Sequence, residues 1–483
     1  MKTGDPEAMA APETHAFSRS LSGLGVIILT LSVLSPGVSI FVSGASILQQ
    51  AGTGAVAAFV IGSVVCFLQT SMAAELGAAY PTAGYDPAAI GHAIGDWAGA
   101  TCYIASIASI PIFLSTSAAG IAIYLEPFGL GLSANAMTFI TVGVITVLSL
   151  LNIRANEYLT GAFILIEIAA LLLVAGLGIW HAQPGAAAAI LHPAHIENGA
   201  WVVVGIGLTG IAINNASWAL AGASQALMFS EDMKRPQTIG RIIMIAFALT
   251  VVLETAPVIG TIIGSHDLGS VLANDAPFET FLGQYLPDVG LKLVSLSIAI
   301  AIFNACLAGF VGIGRQVFSM GRTRLFAAPI NSALMRLLPG TSAPWLAISL
   351  IGATTALATY LPMYVKILLL SGNYTILTFF YVWGVFAGRR SGRTGYRSYR
   401  TPLYPLVPVL GAFIVAGEVI VLWLDADLGR KSLIICCGVF LASYLYYRFV
   451  LLRRPAGWVM TGPADIDAMA RAAVAEARQS AHP

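Results

Sequence analysis

The first long apolar run of this chain, Leu24 to Leu48, is interrupted at its middle by Leu34-Ser35-Pro36-Gly37-Val38-Ser39-Ile40-Phe41. At a rise of about 1.5 Å per residue, such a run is long enough to cross a bilayer. Proline removes a backbone donor and clashes with the preceding turn, and glycine loosens what remains. Lipid offers no replacement hydrogen bonds, so a helix broken at membrane depth must be buried in protein or line a polar cavity. In secondary transporters such breaks hold the substrate. The interruption therefore bears on function as well as fold.

Eleven further apolar runs follow, near Ala55–Ala78, Ala98–Leu125, Met137–Leu151, Tyr158–Trp180, Trp201–Met228, Ile239–Ile263, Leu291–Met320, Pro344–Tyr360, Val365–Phe386, Leu406–Leu424 and Leu433–Phe449. Only 10% of the residues are charged and 57% are hydrophobic. A soluble domain carries about 25% charged residues, so this chain cannot cover itself for water. The fold class expected is an all-α polytopic membrane protein of about twelve transmembrane helices. The formal net charge of +1 leaves no basic face for nucleic acid. Met1 to Ser22 carries Asp5, Glu7 and Glu13 and lacks the basic region and short apolar core of a cleaved signal peptide.

The five cysteines (Cys66, Cys102, Cys306, Cys436 and Cys437) lie inside apolar runs without zinc-site spacing, which favours simple packing. His192 and His195 share a loop with no third ligand nearby, so they are expected to be solvated. No metal or cofactor is expected.

Basic residues test the topology independently, because cytoplasmic loops are enriched in Lys and Arg. With a cytoplasmic N-terminus, the inner loops hold Arg154; Lys234, Arg235 and Arg241; Arg315, Arg322, Arg324 and Arg336; and Arg389, Arg390, Arg393, Arg397 and Arg400. Arg448, Arg453 and Arg454 follow the last run. The opposite side holds Lys292, Lys366, Arg430 and Lys431 beside Asp267, Asp275, Glu279, Asp288, Asp425 and Asp427. Both termini are therefore expected to be cytoplasmic. Beyond Pro455 the tail is polar, and its Ala-rich stretch from Asp465 to Gln479 suits a short surface helix without chemistry of its own.

A second interruption lies in the sixth run, where Ile213-Asn214-Asn215-Ala216-Ser217-Trp218-Ala219-Leu220-Ala221-Gly222-Ala223-Ser224-Gln225 sets polar groups, an aromatic and a glycine in an apolar helix. Runs 1 and 6 take equivalent places if runs 1–5 and 6–10 are inverted repeats. Paired interruptions at such places point to a transporter binding site. Taken singly, each break is equally read as close helix packing.

Several motifs carry a family likeness. Pro36-Gly37-Val38-Ser39-Ile40-Phe41 resembles the glycine/serine-rich break of the first helix in the amino acid–polyamine–organocation (APC) superfamily of permeases. Glu75-Leu76-Gly77-Ala78-Ala79-Tyr80-Pro81-Thr82-Ala83-Gly84 is similar to that family's signature after helix 2. Trp218-Ala219-Leu220-Ala221-Gly222, with Ser230-Glu231-Asp232-Met233-Lys234-Arg235-Pro236, resembles its broken helix 6 and the exit from it. Arg400-Thr401-Pro402-Leu403-Tyr404-Pro405-Leu406 is similar to the entry to helix 11. The likeness runs in order from about Ser20 to Arg454. Val38 and Ser39 stand where many relatives have serine and glycine, Ser224 where many carry glutamate, and Tyr85-Asp86-Pro87 where a glycine-aromatic run is usual. Those departures leave the substrate open.

The resemblance implies a 5+5 inverted-repeat, leucine-transporter-like fold with helices 1 and 6 broken. Its repeats would be residues 23–180 and 201–388, with two further helices in 403–451, inside a transporter domain of 23–454 flanked by tails 1–22 and 455–483. It also implies a multi-pass protein of a cell (inner) membrane, with the lipid bilayer and a small-molecule substrate as its partners. Amides of Val38, Ser39 and Ile40 would take a substrate carboxylate, since half-helix N-termini present unpaired N–H groups. Carbonyls of Ser35, Pro36, Trp218, Ala219 and Ala221 would accept from an ammonium, with Gly37 and Gly222 opening the backbone. Trp218 is a candidate lid or a packing tryptophan. Gln225, Asn214, Asn215, Asn304 and Asn373 either set specificity or bond neighbouring helices.

Ionisable groups at membrane depth cost about 2.5–3.5 kcal/mol on insertion scales. Glu167, in the middle of run 5, is the leading candidate for proton coupling, against the alternative of a protonated carboxyl bonding a neighbouring helix. Glu254 and Glu418 are weaker candidates for the same role. Sodium is disfavoured because Ala305-Cys306-Leu307-Ala308-Gly309 in run 8 offers no hydroxyl. The expected activity is a permease for an amino acid or related small amine, proton-coupled or exchanging, with a polyamine- or ethanolamine-type cation as the alternative substrate. A channel would need a continuous polar stripe, and an enzyme a paired set of reactive groups in the runs; the sequence offers neither.

Overall fold

Apolar segments close their backbone hydrogen bonds most economically as helix, and the computed structural model is 78% helical. It describes residues 17–471 apart from 18, 126–127, 198, 275, 393–397, 425, 427–428, 456 and 470. Asp5, Glu7, Glu13, Asp275, Arg393, Arg397, Asp425, Asp427 and the end of the Ala-rich tail lie outside the described residues.

The first run comprises α1 (Gly23–Leu34), the single turn α2 (Pro36–Val38), a π-helical stretch Ser39–Gly44 and α3 (Ala45–Ala51). Ser22 starts α1 by accepting the Gly25 amide at 3.0 Å on its hydroxyl. Next come α4 (Ala55–Ala79), α5 (Tyr85–Ile94), α6 (Asp96–Leu125), α7 (Ala134–Leu148), α8 (Ile153–Trp180) and α9 (Ala186–Leu191). After a β-hairpin, α10 (Ile206–Ala219) leads into a 3-10 segment, Ala223–Asp232. The second half holds α11 (Ile239–Gly264), α12 (Leu268–Ala273), α13 (Pro277–Gly283), α14 (Asp288–Arg322), α15 (Ala328–Leu334), α16 (Trp345–Ala358), α17 (Met363–Arg390), α18 (Leu406–Leu424) and α19 (Gly429–Phe449).

Among the described residues, seven helical stretches are long and apolar enough to cross a membrane by length and composition. One of them, Gly23–Ala79, contains both of the first two runs. The helix α14 is mostly buried within the bundle, whereas α18 and α19 are mostly exposed. Apolar side chains such as Phe413 and Leu424 on α18 thus face outward, as lipid-contacting surfaces do.

Two local features differ from the sequence reading. Ala194–Glu197 (β1) pairs antiparallel with Ala200–Val203 (β2), so the run read as helical from Trp201 begins in a strand. The β-branched Val202 and Val203 suit that strand, and Gly205 then precedes α10. The hairpin is held on the turn after α3, where the Ala194 amide donates to the Thr53 hydroxyl at 3.0 Å. His195 is consequently buried in β1 rather than solvated. In addition, α5 forms a short helix between α4 and α6 that the run pattern did not reveal.

The start of the C-terminal tail packs on the bundle. The Val459 amide donates to the Thr323 carbonyl, Trp458 meets Tyr103 edge-on, and Arg19 pairs with Asp467 in the short helix 463–469.

Candidate functional site

The first break is organised by Ser35. Its φ of +46° places a non-glycine residue in the left-handed region and ends α1. Pro36 then begins the next turn, where a missing N–H costs nothing. The Ser35 hydroxyl accepts the Val38 amide at 3.3 Å and donates to Glu167 Oε1 at 3.0 Å. The same Oε1 accepts the Gly37 amide at 2.6 Å. A Cβ on residue 37 would lie 2.8 Å from Glu167 Cγ, so glycine is what lets the carboxyl reach the backbone. The Ser39 amide closes on the Ser35 carbonyl at 3.0 Å.

The second break follows Ala219. Gly222 has a φ of +116°, open to glycine and strained for any side chain. A Cβ there would also lie 2.7 Å from Leu34 Cδ2, so the two breaks are in contact. They are stitched directly as well, because the Ser39 hydroxyl donates to the Ala219 carbonyl at 3.1 Å. Ser35, Pro36, Gly37, Ser39, Ile40 and Ala219 are buried, while Val38, Ala221, Gly222 and Gln225 are half-buried. Trp218 is 40% exposed, unlike its buried neighbours Ser217 and Ala219. The structure thus brings the residues of both breaks together, and sets the Trp218 ring at the margin of the cluster.

Two carboxyls flank the first break from different helices. Glu167 comes from α8 and is buried, with Oε2 lacking a hydrogen-bond partner. Asn304 of α14 lies beside it, fully buried, and both ends of its amide lack partners. Glu254 comes from α11 and faces Ser39, yet neither of its oxygens reaches hydrogen-bond geometry, since the Ser39 hydroxyl is engaged by Ala219. Sequence placed Glu254 at the right depth, but nothing in the chain's periodicity says which helix faces it. Glu418 is elsewhere, accepting from Gln69 at 3.3 Å, while Tyr374 donates to the same Gln69 at 2.6 Å.

Sequence comparison matches residues 21–442 to a family described as amino acid permease. The chain belongs to the amino acid permease family. That places it in the APC superfamily and makes it a transporter of amino acids or related compounds rather than an enzyme. Comparison with curated proteins gives no match.

The motif residues of this permease that lie outside the breaks form a second polar layer. Glu75 of α4 takes a two-pronged bond from Arg389 of α17, at 2.7 Å on each oxygen, and also accepts the Thr401 amide. Glu231, at the end of the 3-10 segment, pairs in the same way with Arg322 of α14 at 2.9 and 2.6 Å and accepts the Ala83 amide at 2.8 Å. Its neighbour Asp232 pairs with Arg315 at 2.6 Å. Forked guanidinium–carboxylate contacts are the strong, geometry-specific kind. Asp86 of α5 completes the layer, accepting from Tyr381 and from Ser224 at 3.4 Å, while Tyr85 meets the Ser224 hydroxyl at 3.1 Å. Burial pushes the Asp86 carboxyl up to about 6, against the three hydroxyls that favour its charged form. Through Ser224, Glu231 and Asp232 the permease ties the exit of its second break to α5 and α14, while Glu75 and Arg389 tie α4 to α17.

Proposed function

We propose that the chain is a secondary active transporter that moves an amino acid or a closely related small amine by alternating access. The observation that carries this reading is the Ser39–Ala219 contact, which joins the two helix breaks into one polar cluster inside an apolar bundle. In this reading Ser35, Pro36, Gly37, Val38, Ser39 and Ile40 from the first break line the substrate site. Trp218, Ala219, Ala221, Gly222 and Gln225 line it from the second.

Transport is coupled to protons or run as exchange, with Glu167 as the proton carrier. Its support is a carboxyl bonded to the break itself, through Gly37 and Ser35. The architecture proposed is twelve spans in two inverted five-helix repeats plus two further helices, in a cell membrane with both termini cytoplasmic. Helices at each of the twelve apolar runs and the one-sided arginines support it. The rocking unit comprises spans 1, 2, 6 and 7 against 3, 4, 8 and 9.

Uptake by the purified full chain in proteoliposomes tests this. An imposed inward proton gradient should drive accumulation or exchange of a labelled amino acid or amine, and replacing sodium by choline should change nothing. Glu167→Gln should keep binding and lose pH-dependent uptake; unchanged pH dependence would remove Glu167 from the coupling role.

A further inference from the structure

One acid of the second polar layer is held differently from the rest. Glu75, Glu231 and Asp232 each face an arginine, Arg389, Arg322 and Arg315 respectively. Asp86 has no such ion pair among the described residues. It is 1% exposed, and its partners are the hydroxyls of Tyr381, Tyr85 and Ser224. Ser224 lies two residues beyond Gly222, so this carboxyl is joined directly to the second break.

The joint is built at some cost. Tyr85 has a φ of +60°, a left-handed backbone that bulky residues rarely adopt, and its hydroxyl lies 3.1 Å from Ser224 Oγ. A Cβ on the preceding Gly84 would collide with the Tyr103 hydroxyl. Ser224 and the Tyr85-Asp86-Pro87 run are also positions where the motifs of this chain part from those they resemble, and the fold sets them in contact.

A buried carboxylate without a cation is costly even among hydroxyls. Burial therefore favours the proton on Asp86 and pushes its pKa up to about 6. Water reaching the group removes that penalty and returns it toward its ordinary 3.8. A proton bound more tightly in one conformation stabilises that conformation. An arginine beside an acid opposes such a switch, because it favours the ionised form.

We propose that Asp86 is a positioning residue for transport: carrying a proton, it locks the second break to α5 and α17, and losing that proton to water lets the inner end of the break open. The inference rests on the permease reading above and adds to Glu167 a second proton-binding group, at the cytoplasmic end in the proposed orientation. The titratable groups facing Asp86 are Tyr85 on its own helix, Tyr374 and Tyr381 of α17, and Cys102 of α6. Phenols and thiols ionise at higher pH, so Asp86 is the member of this cluster that changes charge between pH 5 and pH 7. His92 of the same helix instead stacks on Tyr80 and meets the Thr461 carbonyl at 3.1 Å.

Hydrogen–deuterium exchange across residues 222–232, on the purified full chain in proteoliposomes, reads this without a substrate. Corrected for the intrinsic exchange rate, protection should fall about tenfold between pH 5 and pH 7 and level off above that. Asp86→Asn should keep the low-pH protection throughout. Ser224→Ala should also flatten the profile, because the carboxyl still titrates but no longer holds the break. This small substitution is the reporter should the Asn variant misfold. A purely structural Asp86 would change protection equally at every pH and keep its slope. The inference falls if the parent profile is flat, or if either variant keeps the parent's slope. Flat protection in a chain that takes up labelled amino acids would overturn this inference alone. Sloping protection in a chain that moves neither amino acids nor amines would overturn the permease reading and leave the latch standing.

Discussion

Glu167 Oε1 lies 2.6 Å from the amide nitrogen of Gly37, so a carboxyl on one helix caps the break in another. The contact exists because residue 37 has no side chain. Gly37→Ala sets a methyl 2.8 Å from Glu167 Cγ and 3.1 Å from Oε1. Overpacking of this kind costs about 1–3 kcal/mol, and the carboxyl must withdraw from the amide. The expected outcome is a lowered melting temperature together with at least a tenfold loss of uptake, read on detergent-purified protein and in proteoliposomes.

Ser39→Ala removes the hydroxyl that joins the two breaks at the Ala219 carbonyl. A neutral hydrogen bond of this sort contributes about 1 kcal/mol. Thermal denaturation should therefore show only a small loss. Accessibility of cysteines introduced near Gly222 should increase more clearly, because the second break is released from the first.

The buried Arg322–Glu231 pair makes a sharper test of the second polar layer. Arg322→Gln strands a carboxylate whose other partner is a single backbone amide, from Ala83. Breaking a buried pair on one side costs about 3–5 kcal/mol, and removing both charges costs less. The double variant Glu231→Gln/Arg322→Gln should melt above the Arg322→Gln single variant; equal or lower melting would show that the pair does not act as a unit.

Asp86 gives a pH dependence with a definite sign. Its carboxyl is pushed from 3.8 to about 6 in the folded protein, first by burial. The folded state then binds the proton more tightly than the unfolded state. The stabilisation is complete below the unfolded value of 3.8 and is lost as pH rises through about 6. At about 1.4 kcal/mol per unit, the swing is on the order of 3 kcal/mol. Melting temperature should fall between pH 5 and pH 7.5 in the parent, and Asp86→Asn should flatten that slope.

Much of this was legible in the chain because proline and glycine punctuate apolar runs in a way lipid forbids elsewhere. Pro36-Gly37 and Ala221-Gly222 marked both breaks, and the structure turns the chain at Ser35 and Gly222. What stayed hidden depends on neighbours. The stretch Trp201-Val202-Val203 is apolar enough to extend a helix, and only its pairing with Ala194–Glu197 makes it a strand. Glu231 and Asp232 are adjacent, and Arg315 and Arg322 are seven residues apart on one helix, so either pairing suits the spacing; the fold selects Glu231 with Arg322. Glu254 looked like a lesser copy of Glu167 because depth is written in sequence and the facing helix is not.

The two acids ride on helices that touch backbone to backbone near their C-terminal ends. A side chain on Gly178 of α8 would collide with the Gly260 carbonyl of α11, and one on Gly264 with the Cα of Gly178. With Tyr285 bonded to the Gly264 carbonyl just beyond, this contact leaves no slack for sliding. Glu167 and Glu254 therefore keep a fixed spacing, like two teeth on one jaw.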